Sequence, residues 1–375
     1  MDTRGPLRRG RRRSCCRALP VDRNGRVGSR PNNRRRRRNV GRRWLVPHAR
    51  QVDQFTAVGA VLRGRSIDQR GAAARRAVTA TRSAGDKPLQ FGLNLPVATP
   101  GITPRLLRDI ACRAEELGFV EVWLGEHVVL FDKPVDSYPG YDTGEAFFPA
   151  TLAIPDPLVA HAFIAAATEH IRLATGVMLL PQRNPVYTAK HIATLDWLSD
   201  GRLDVGIGVG WSSEEFAACG VPFEHRGRRA DECIEVMRSL WAQQISEHSG
   251  DFYELAPCRQ YPKPAQLPHP PLWIGGYSTA AFRRVARHGD GWYGFDHSAS
   301  AVAGFVQLLR RELEAHERSV NDIAIVCGAY NLMPRERSAV VAYAKAGVEQ
   351  FVVSLRGSQP DELDDELQYL ARTLM

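Results

Sequence analysis

Gly201-Arg202-Leu203-Asp204-Val205-Gly206-Ile207-Gly208-Val209-Gly210-Trp211-Ser212-Ser213-Glu214-Glu215-Phe216 is the stretch whose reading decides the fold. Leu203 to Ile207 reads as a buried strand. It opens into a turn paved with Gly206, Gly208 and Gly210, where missing side chains let backbone or a flat ligand approach closely. Ser212 and Ser213 offer caps for a following helix, and Glu214 and Glu215 fall in its first turn, where the helix dipole favours acids. A dinucleotide fingerprint requires G-x-G-x-x-G with an acid about 20 residues on. Trp211 stands where the third glycine belongs, so that reading is rejected. A tight strand-to-helix turn and a ligand-facing strand end remain, and repetition of the same architecture elsewhere favours the second.

On the N-terminal side, Leu89 to Leu95 reads as a strand. Thr103 caps a helix with Pro104 at its first position, and Gly118 closes it. Val120 to Leu124 is a second strand, running into Gly125-Glu126-His127. A long loop, 128–157, is a candidate lid or substrate wall. A helix from Asp156 to Ala167, a strand from Ile171 to Leu180 and a helix opened by Asn184-Pro185 lead to the quoted stretch. On its C-terminal side a helix spans Arg226 to Trp241, and a proline-rich, hairpin-like excursion fills 245–271. Strands at Leu272–Gly276, Gly291–Phe295, Ile323–Tyr330 and Gln350–Leu355 follow. They alternate with helices at Thr279–His288, Ala301–Glu317, Ser338–Ala346 and Asp361–Leu374. Eight short apolar strands alternating with helices place the chain in the α/β class and predict a closed (β/α)8 TIM barrel. A doubly wound open sheet is the alternative. The barrel is preferred because polar residues and glycines gather after the C-terminal ends of the strands.

Charge divides the 375 residues unevenly. Residues 1–86 hold 24 Arg and 5 Asp with no Lys or Glu, a net +19, whereas the whole chain carries +9. The barrel part, 87–375, is therefore net −10, which argues against a nucleic-acid binder by bulk charge. The arm has no sustained apolar period and cannot offset its ordering entropy. It reads as a nucleic-acid or anionic-surface tail, a targeting peptide, or translated upstream sequence outside the working protein, and the last is favoured. The seven cysteines show no C-x-x-C pair and no zinc spacing, so reduced thiols in a cytoplasmic protein and no metal site are expected. No apolar run is long enough to span a membrane.

The strand ends collect Asn94, Glu126-His127, Thr175-Gly176-Val177, Gly208-Val209-Gly210-Trp211, Gly275-Gly276-Tyr277-Ser278 and Asp290 at one expected mouth. No metal set and no Ser or Cys nucleophile with an identifiable base appears among them. The mixture suits a flat aromatic cofactor more than hydrolysis.

From Leu89 to about Pro360 the chain resembles the luciferase-like superfamily of flavin and deazaflavin oxidoreductases, and most of all its actinobacterial branch that uses the deazaflavin coenzyme F420. The segments that carry the resemblance are Phe91-Gly92-Leu93-Asn94-Leu95-Pro96, Ala114-Glu115-Glu116-Leu117-Gly118-Phe119, Val122-Trp123-Leu124-Gly125-Glu126-His127, Leu173-Ala174-Thr175-Gly176-Val177, Leu195-Asp196-Trp197-Leu198-Ser199, Gly206-Ile207-Gly208-Val209-Gly210-Trp211 and Trp273-Ile274-Gly275-Gly276. The resemblance implies a barrel with an insertion near 243–271 and a non-prolyl cis peptide at Gly176–Val177 against which the cofactor ring rests. It implies a phosphate on the backbone amides of Gly275, Gly276 and Ser278. It also implies a homodimer through helices beside the early strands.

His127 is the candidate catalytic proton donor or acceptor, with a structural histidine as the alternative. Glu126 orients His127, binds the cofactor or serves structure. Asn94, Thr175, Gly176, Val177, Gly208, Gly210 and Glu214 are the further candidate cofactor contacts, although an acid in a first helical turn is more often a dipole partner. Trp211 departs from the sugar-phosphate dehydrogenase branch, which has a carboxylate there, and reads as an apolar substrate wall or a core residue. His161, His191 and His288 read as structural. The expected activity is hydride transfer between F420 and a small organic substrate, with an FMN-dependent monooxygenase as the alternative. The readings of another class are a non-catalytic barrel and a nucleic-acid-associated protein acting through the arm.

Overall fold

Short apolar runs bounded by caps and turns become strands buried on both faces. The computed structural model describes residues 88–97, 99–136, 149–334, 336–357, 359 and 361–375; the expectations for segment 1–86 and for loop residues 137–148 lie outside the described residues. The elements in order are β1 (Gln90–Asn94), α1 (Pro104–Glu116), β2 (Glu121–Leu124), α2 (Pro157–Ala165), β3 (Arg172–Thr175), β4 (Met178–Leu179), α3 (Pro185–Leu198), β5 (Leu203–Gly208), α4 (Ser213–Ala218) and α5 (Arg226–Ala242). The hairpin β6 (Ser246–Ser249) and β7 (Glu254–Cys258) comes next. Then follow β8 (Leu272–Gly275), α6 (Thr279–His288), β9 (Gly291–Phe295), α7 (Ala299–Glu314), β10 (Ala324–Gly328), α8 (Arg337–Lys345), β11 (Gln350–Ser354) and α9 (Glu362–Leu374).

Every pairing outside the hairpin is parallel, and β11 pairs with β1 as well as with β10, which closes the sheet into a (β/α)8 barrel. The expected third strand is split. The Gly176–Val177 peptide is cis, and β3 and β4 on either side of it both pair with β5. Several helices begin at side-chain caps, the expected Thr103, Asp156, Asn184 and Ser212 among them. Thr103, Asp156, Asn184, Ser212, Ser278 and Ser298 each accept a hydrogen bond from a first-turn backbone N–H, a contact typically worth about 1 kcal/mol. The excursion is the β6–β7 hairpin. Glu232 on α5 holds its tip by accepting from Phe252 N at 3.0 Å and Tyr253 N at 2.7 Å.

Alternate residues of each strand point into the barrel and stack in layers. At the N-terminal end Arg172 forks the carboxylate of Asp204 at 2.6 and 2.5 Å, and Gln350 donates to Glu121 at 2.6 Å. Burial, with Asp204 beside it, pushes the Glu121 carboxyl well above the usual range. The middle layer is Trp123, Ala174, Trp273, Tyr293, Val326 and Val352, with Trp123 stacked on Tyr293 at 4.6 Å. Two residues further along the same strands come Gly125, Gly176, Gly275, Phe295, Gly328 and Ser354, joined by Asn94 and Gly208. The catalytic-face layer is thus mostly glycine. Asp290 does not belong to it. It precedes β9, at the opposite end, and accepts from Leu272 N at 2.9 Å.

His161 lies fully buried in α2, where its Nε2 meets the Ala174 carbonyl at 2.8 Å. Burial lowers its pKa to about 4, so it is a neutral packing group.

Candidate active site

Three strand ends interlock around the cis bulge. The Val177 side chain lies over β5 and β8, and a Cβ at Gly208 would sit 2.5 Å from its Cγ2, one at Gly275 3.0 Å from its Cγ1. A Cβ at Gly206 would stand 1.8 Å from the Thr175 carbonyl oxygen. The Thr175 hydroxyl donates back to the Gly206 carbonyl at 2.7 Å. Gly206, Gly208 and Gly275 are therefore required by the close fit of the bulge itself. Of the two approaches the opening reading allowed at this turn, backbone or a flat ligand, the one seen at Gly206 is that of the Thr175 backbone. Close packing extends through this layer: an added Cβ would meet the Trp123 ring at 2.7 Å at Gly176 and the Tyr293 hydroxyl at 2.7 Å at Gly328, while Asn94 Nδ2 donates to Ser354 Oγ at 2.9 Å and supplies the polar edge.

Glu126 and His127 follow each other just past β2, yet their side chains reach different partners. Glu126 turns into the protein. It accepts from Leu179 N at 2.6 Å and pairs with Arg183, whose Nε lies 2.9 Å from it. Arg183 also holds Asp156, the α2 cap, at 2.5 Å. Burial alone would lower the Arg183 pKa, but the two carboxylates outweigh it and raise it. Glu126 thus pins β4, directly after the bulge, and does not orient His127.

That part falls to Glu215, which the sequence reading passed over as a dipole partner. Its carboxylate is 1% exposed and lies 3.3 Å from His127 Nδ1, with Val128 N donating to its other oxygen at 2.6 Å. Burial pushes the Glu215 carboxyl up, yet these hydrogen bonds prevail and hold it below the usual range. The signal was present: Ser212-x-x-Glu215 has capping-box spacing. Ser212 does cap Glu215 N at 3.2 Å, but the glutamate side chain turns to His127. Trp211 stands edge-on to His127 with ring centroids 5.8 Å apart. Glu214 reaches the loop, accepting from Val135 N at 2.7 Å, and Asp136 accepts from Ser213 N and Oγ at 2.5 and 2.6 Å. The start of α4 thus holds loop residues 128–136 against the mouth. Gly210, at φ +73°, gives a Cβ no room against the Phe216 ring, 2.7 Å away.

On the far side, β8 turns into α6 through Gly276, at φ +105°, whose carbonyl accepts from Trp292 Nε1 at 2.7 Å. Ser278 caps Ala281 N at 3.2 Å. Gly276, Tyr277 and Ser278 are exposed at the start of α6, and a helix start is a place that suits an anion. His297, just past β9, packs edge-on to Tyr277 at 4.9 Å; the sequence reading had not collected it. Among the described residues the five cysteines are free thiols, no His, Cys, Asp or Glu group has metal-holding geometry, and no helix is long and apolar enough to cross a membrane.

The profile of the luciferase-like monooxygenase family matches residues 89–372. An uncharacterised protein of Mycobacterium tuberculosis is 38% identical over 207 residues, which cover 54% of this chain and 71% of that one. The FMNH2-dependent dimethylsulfone monooxygenase of Pseudomonas putida is 33% identical over 165 residues, covering 43% of this chain and 45% of the enzyme. Among solved structures, an F420-dependent secondary alcohol dehydrogenase superposes with a TM-score of 0.61 at 17% identity, over 76% of this chain and 98% of its own. At that identity the likeness speaks to the fold alone. The profile match spans all eight barrel strands and the bulge between β3 and β4, and the chain belongs to the luciferase-like monooxygenase family.

Proposed function

We propose that the protein is a deazaflavin-dependent oxidoreductase that moves a hydride between coenzyme F420 and a small organic substrate. The observation that carries this reading is the His127–Glu215 pair, a part-exposed imidazole on a buried carboxylate, standing beside a mouth layer made mostly of glycine. The residues present fit such a group. The backbone of Thr175, Gly176 and Val177 would back the ring, Asn94 would meet its polar edge, and the amides of Gly275, Gly276 and Ser278 would take the phosphate. When bound, the deazaflavin supplies the carbon that accepts or gives the hydride. His127 gives or takes the accompanying proton, and proton transfer by a positioned side chain contributes roughly 10²–10⁴-fold. Trp211 and the 128–136 loop segment wall the site against water.

A second reading, an FMN-dependent monooxygenase, is favoured by the similarity to the dimethylsulfone enzyme. Fluorescence titration of the full chain with F420 and with FMN separates the two. The expected result is tight binding of F420 and weak binding of FMN. Tight binding of FMN alone would move the protein to the second reading, and binding of neither would defeat both.

The partner most in keeping with the surface is a second copy of the chain. Val159 and Phe163 on α2 and Tyr187, Trp197 and Leu198 on α3 are exposed large apolar side chains on two packed helices, an arrangement that marks an interaction surface. Light scattering is expected to give twice the 41.7 kDa chain mass, and Trp197→Glu is expected to shift the population toward monomer. A monomer in the unsubstituted protein at micromolar concentration would rule the dimer out.

A further inference from the structure

We infer that Glu121 and Asp204 share a single proton at the N-terminal end of the barrel, with Glu121 the neutral acid and its Oε1–H directed at the Asp204 carboxylate, so that the barrel floor is a pH-sensitive element. The floor lies at the end of the strands opposite the mouth, and the inference is independent of the cofactor reading. Its side chains come from β2, β3, β5 and β11. Glu121 is 1% exposed, Asp204 3% and Gln350 8%. Two carboxyl groups thus meet one guanidinium, that of Arg172, away from water.

The hydrogen bonds decide which carboxyl is charged. Arg172 forks Asp204, with Nε on one oxygen at 2.6 Å and Nη2 on the other at 2.5 Å. Its remaining bonds go to Gly201 O, Leu203 O and Gln266 Oε1, at 3.3, 3.4 and 3.2 Å. None goes to Glu121. The Glu121 carboxyl receives one donor, Gln350 Nε2, on Oε2 at 2.6 Å, and among the described residues no N–H reaches Oε1. Two carboxylates sharing a dry site hold a proton between them, because like charges this close do not both ionise. The proton belongs on Glu121 Oε1, since Oε2 already accepts. Asp204 can take it, because an ionised carboxylate offers about four acceptor sites and Arg172 occupies two.

The other neighbours leave this balance in place. The charged groups packed on Glu121 are Asp204 from β5 and Arg172 from β3. From β11 comes the neutral Gln350, and from β1 Gly92, which has no side chain. Asp196 on α3 acts on Arg172 and is itself tied to Gln266 N at 2.9 Å. Burial first, and then the Asp204 charge, raise the Glu121 pKa, and Arg172 and Gln350 do not reverse the shift. The folded protein therefore keeps a proton that the unfolded chain releases above about pH 4.3. Stability falls as pH rises from there, and it stops falling once pH passes the folded pKa.

Glu121→Gln imitates the neutral acid at every pH: its carbonyl can accept from Gln350 and its NH2 can donate to Asp204. The test is urea unfolding of the full chain, both proteins measured from about pH 4 to about pH 8. The expected result is a gap in favour of the variant that widens with pH, the ratio of the two unfolding constants changing by up to about tenfold per pH unit. A gap that stays constant with pH, or narrows as pH rises, would overturn the inference, because Glu121 would then ionise in the folded barrel as readily as in the unfolded chain. Infrared spectroscopy at about pH 7 reads the proton directly, as the C=O stretch of a protonated carboxylic acid that disappears in Glu121→Gln. Absence of that band from the unsubstituted protein would overturn the inference even where the variant fails to fold, and so would its persistence unchanged in a folded variant.

Discussion

Gly206→Ala is expected to cost about 3 kcal/mol or more of folding stability, at or beyond the upper end of ordinary overpacking. A methyl at this position would lie 1.8 Å from the Thr175 carbonyl oxygen and 3.0 Å from its carbon. Both are backbone atoms, so no rotamer change can make room. The backbone is tied on both sides: Thr175 pairs with Leu124 across β2 and β3, and its hydroxyl donates to Gly206 O. Gly206 in turn pairs with Trp273 on β8. Relief would require the third and fourth barrel strands to separate. Urea unfolding of the two proteins measures the loss. Gly304→Ala is the control, because an added Cβ there meets nothing within 4 Å in the middle of α7, and it is expected to stabilise by about 1 kcal/mol. Equal midpoints for Gly206→Ala and the unsubstituted protein would show that the close approach of β3 and β5 is wrong. Gly208→Ala is milder. Its Cβ meets a Val177 methyl at 2.5 Å, and a side chain can move, so the expected result is weaker cofactor binding with most of the stability retained.

The difference between these two glycines shows how far the sequence could be read. Eight apolar runs separated by capped helices are a local pattern, and Thr103, Asp156, Asn184 and Ser212 act as caps where the sequence places them. The barrel follows from counting those runs. The glycines were legible as close approaches, but not what approaches them, because the partner of Gly206 is Thr175 O, 31 residues away in the chain. Side-chain direction was the other hidden quantity. Glu126 precedes His127 in the sequence and was read with it, yet its side chain goes to Arg183 and Leu179 N. The partner that His127 does have, Glu215, lies 88 positions on, and only the register of β2 against β3 and β5 brings the two together. Asp290 was misplaced for a simpler reason: it begins a strand that was counted by its end.

Arg183→Ala is the second large effect, with an expected loss of about 3–5 kcal/mol, the usual result of leaving one member of a buried ion pair without its partner. The Glu126 side chain is 3% exposed and that of Arg183 16%, so water cannot replace the guanidinium. Two structures lean on it. Through Glu126 it holds Leu179 N, the first firm point after the bulge, and through Asp156 it fastens the start of α2. Asp156 is 40% exposed, and loss of that arm alone, as in Asp156→Asn, is expected to cost about 1 kcal/mol, in line with exposed pairs. The double replacement Glu126→Leu with Arg183→Met removes both charges together, and it should be markedly less damaging than Arg183→Ala because no buried charge is stranded. A double-mutant cycle by urea unfolding gives the coupling. A coupling of about 2 kcal/mol or more supports a buried pair whose members depend on each other, whereas additive losses would mean that Glu126 is solvated and free to serve elsewhere in the mouth. The same variants bear on function. With β4 released, the bulge loses its anchor on one side, so affinity for the proposed cofactor should fall in Arg183→Ala even at temperatures where the barrel remains folded.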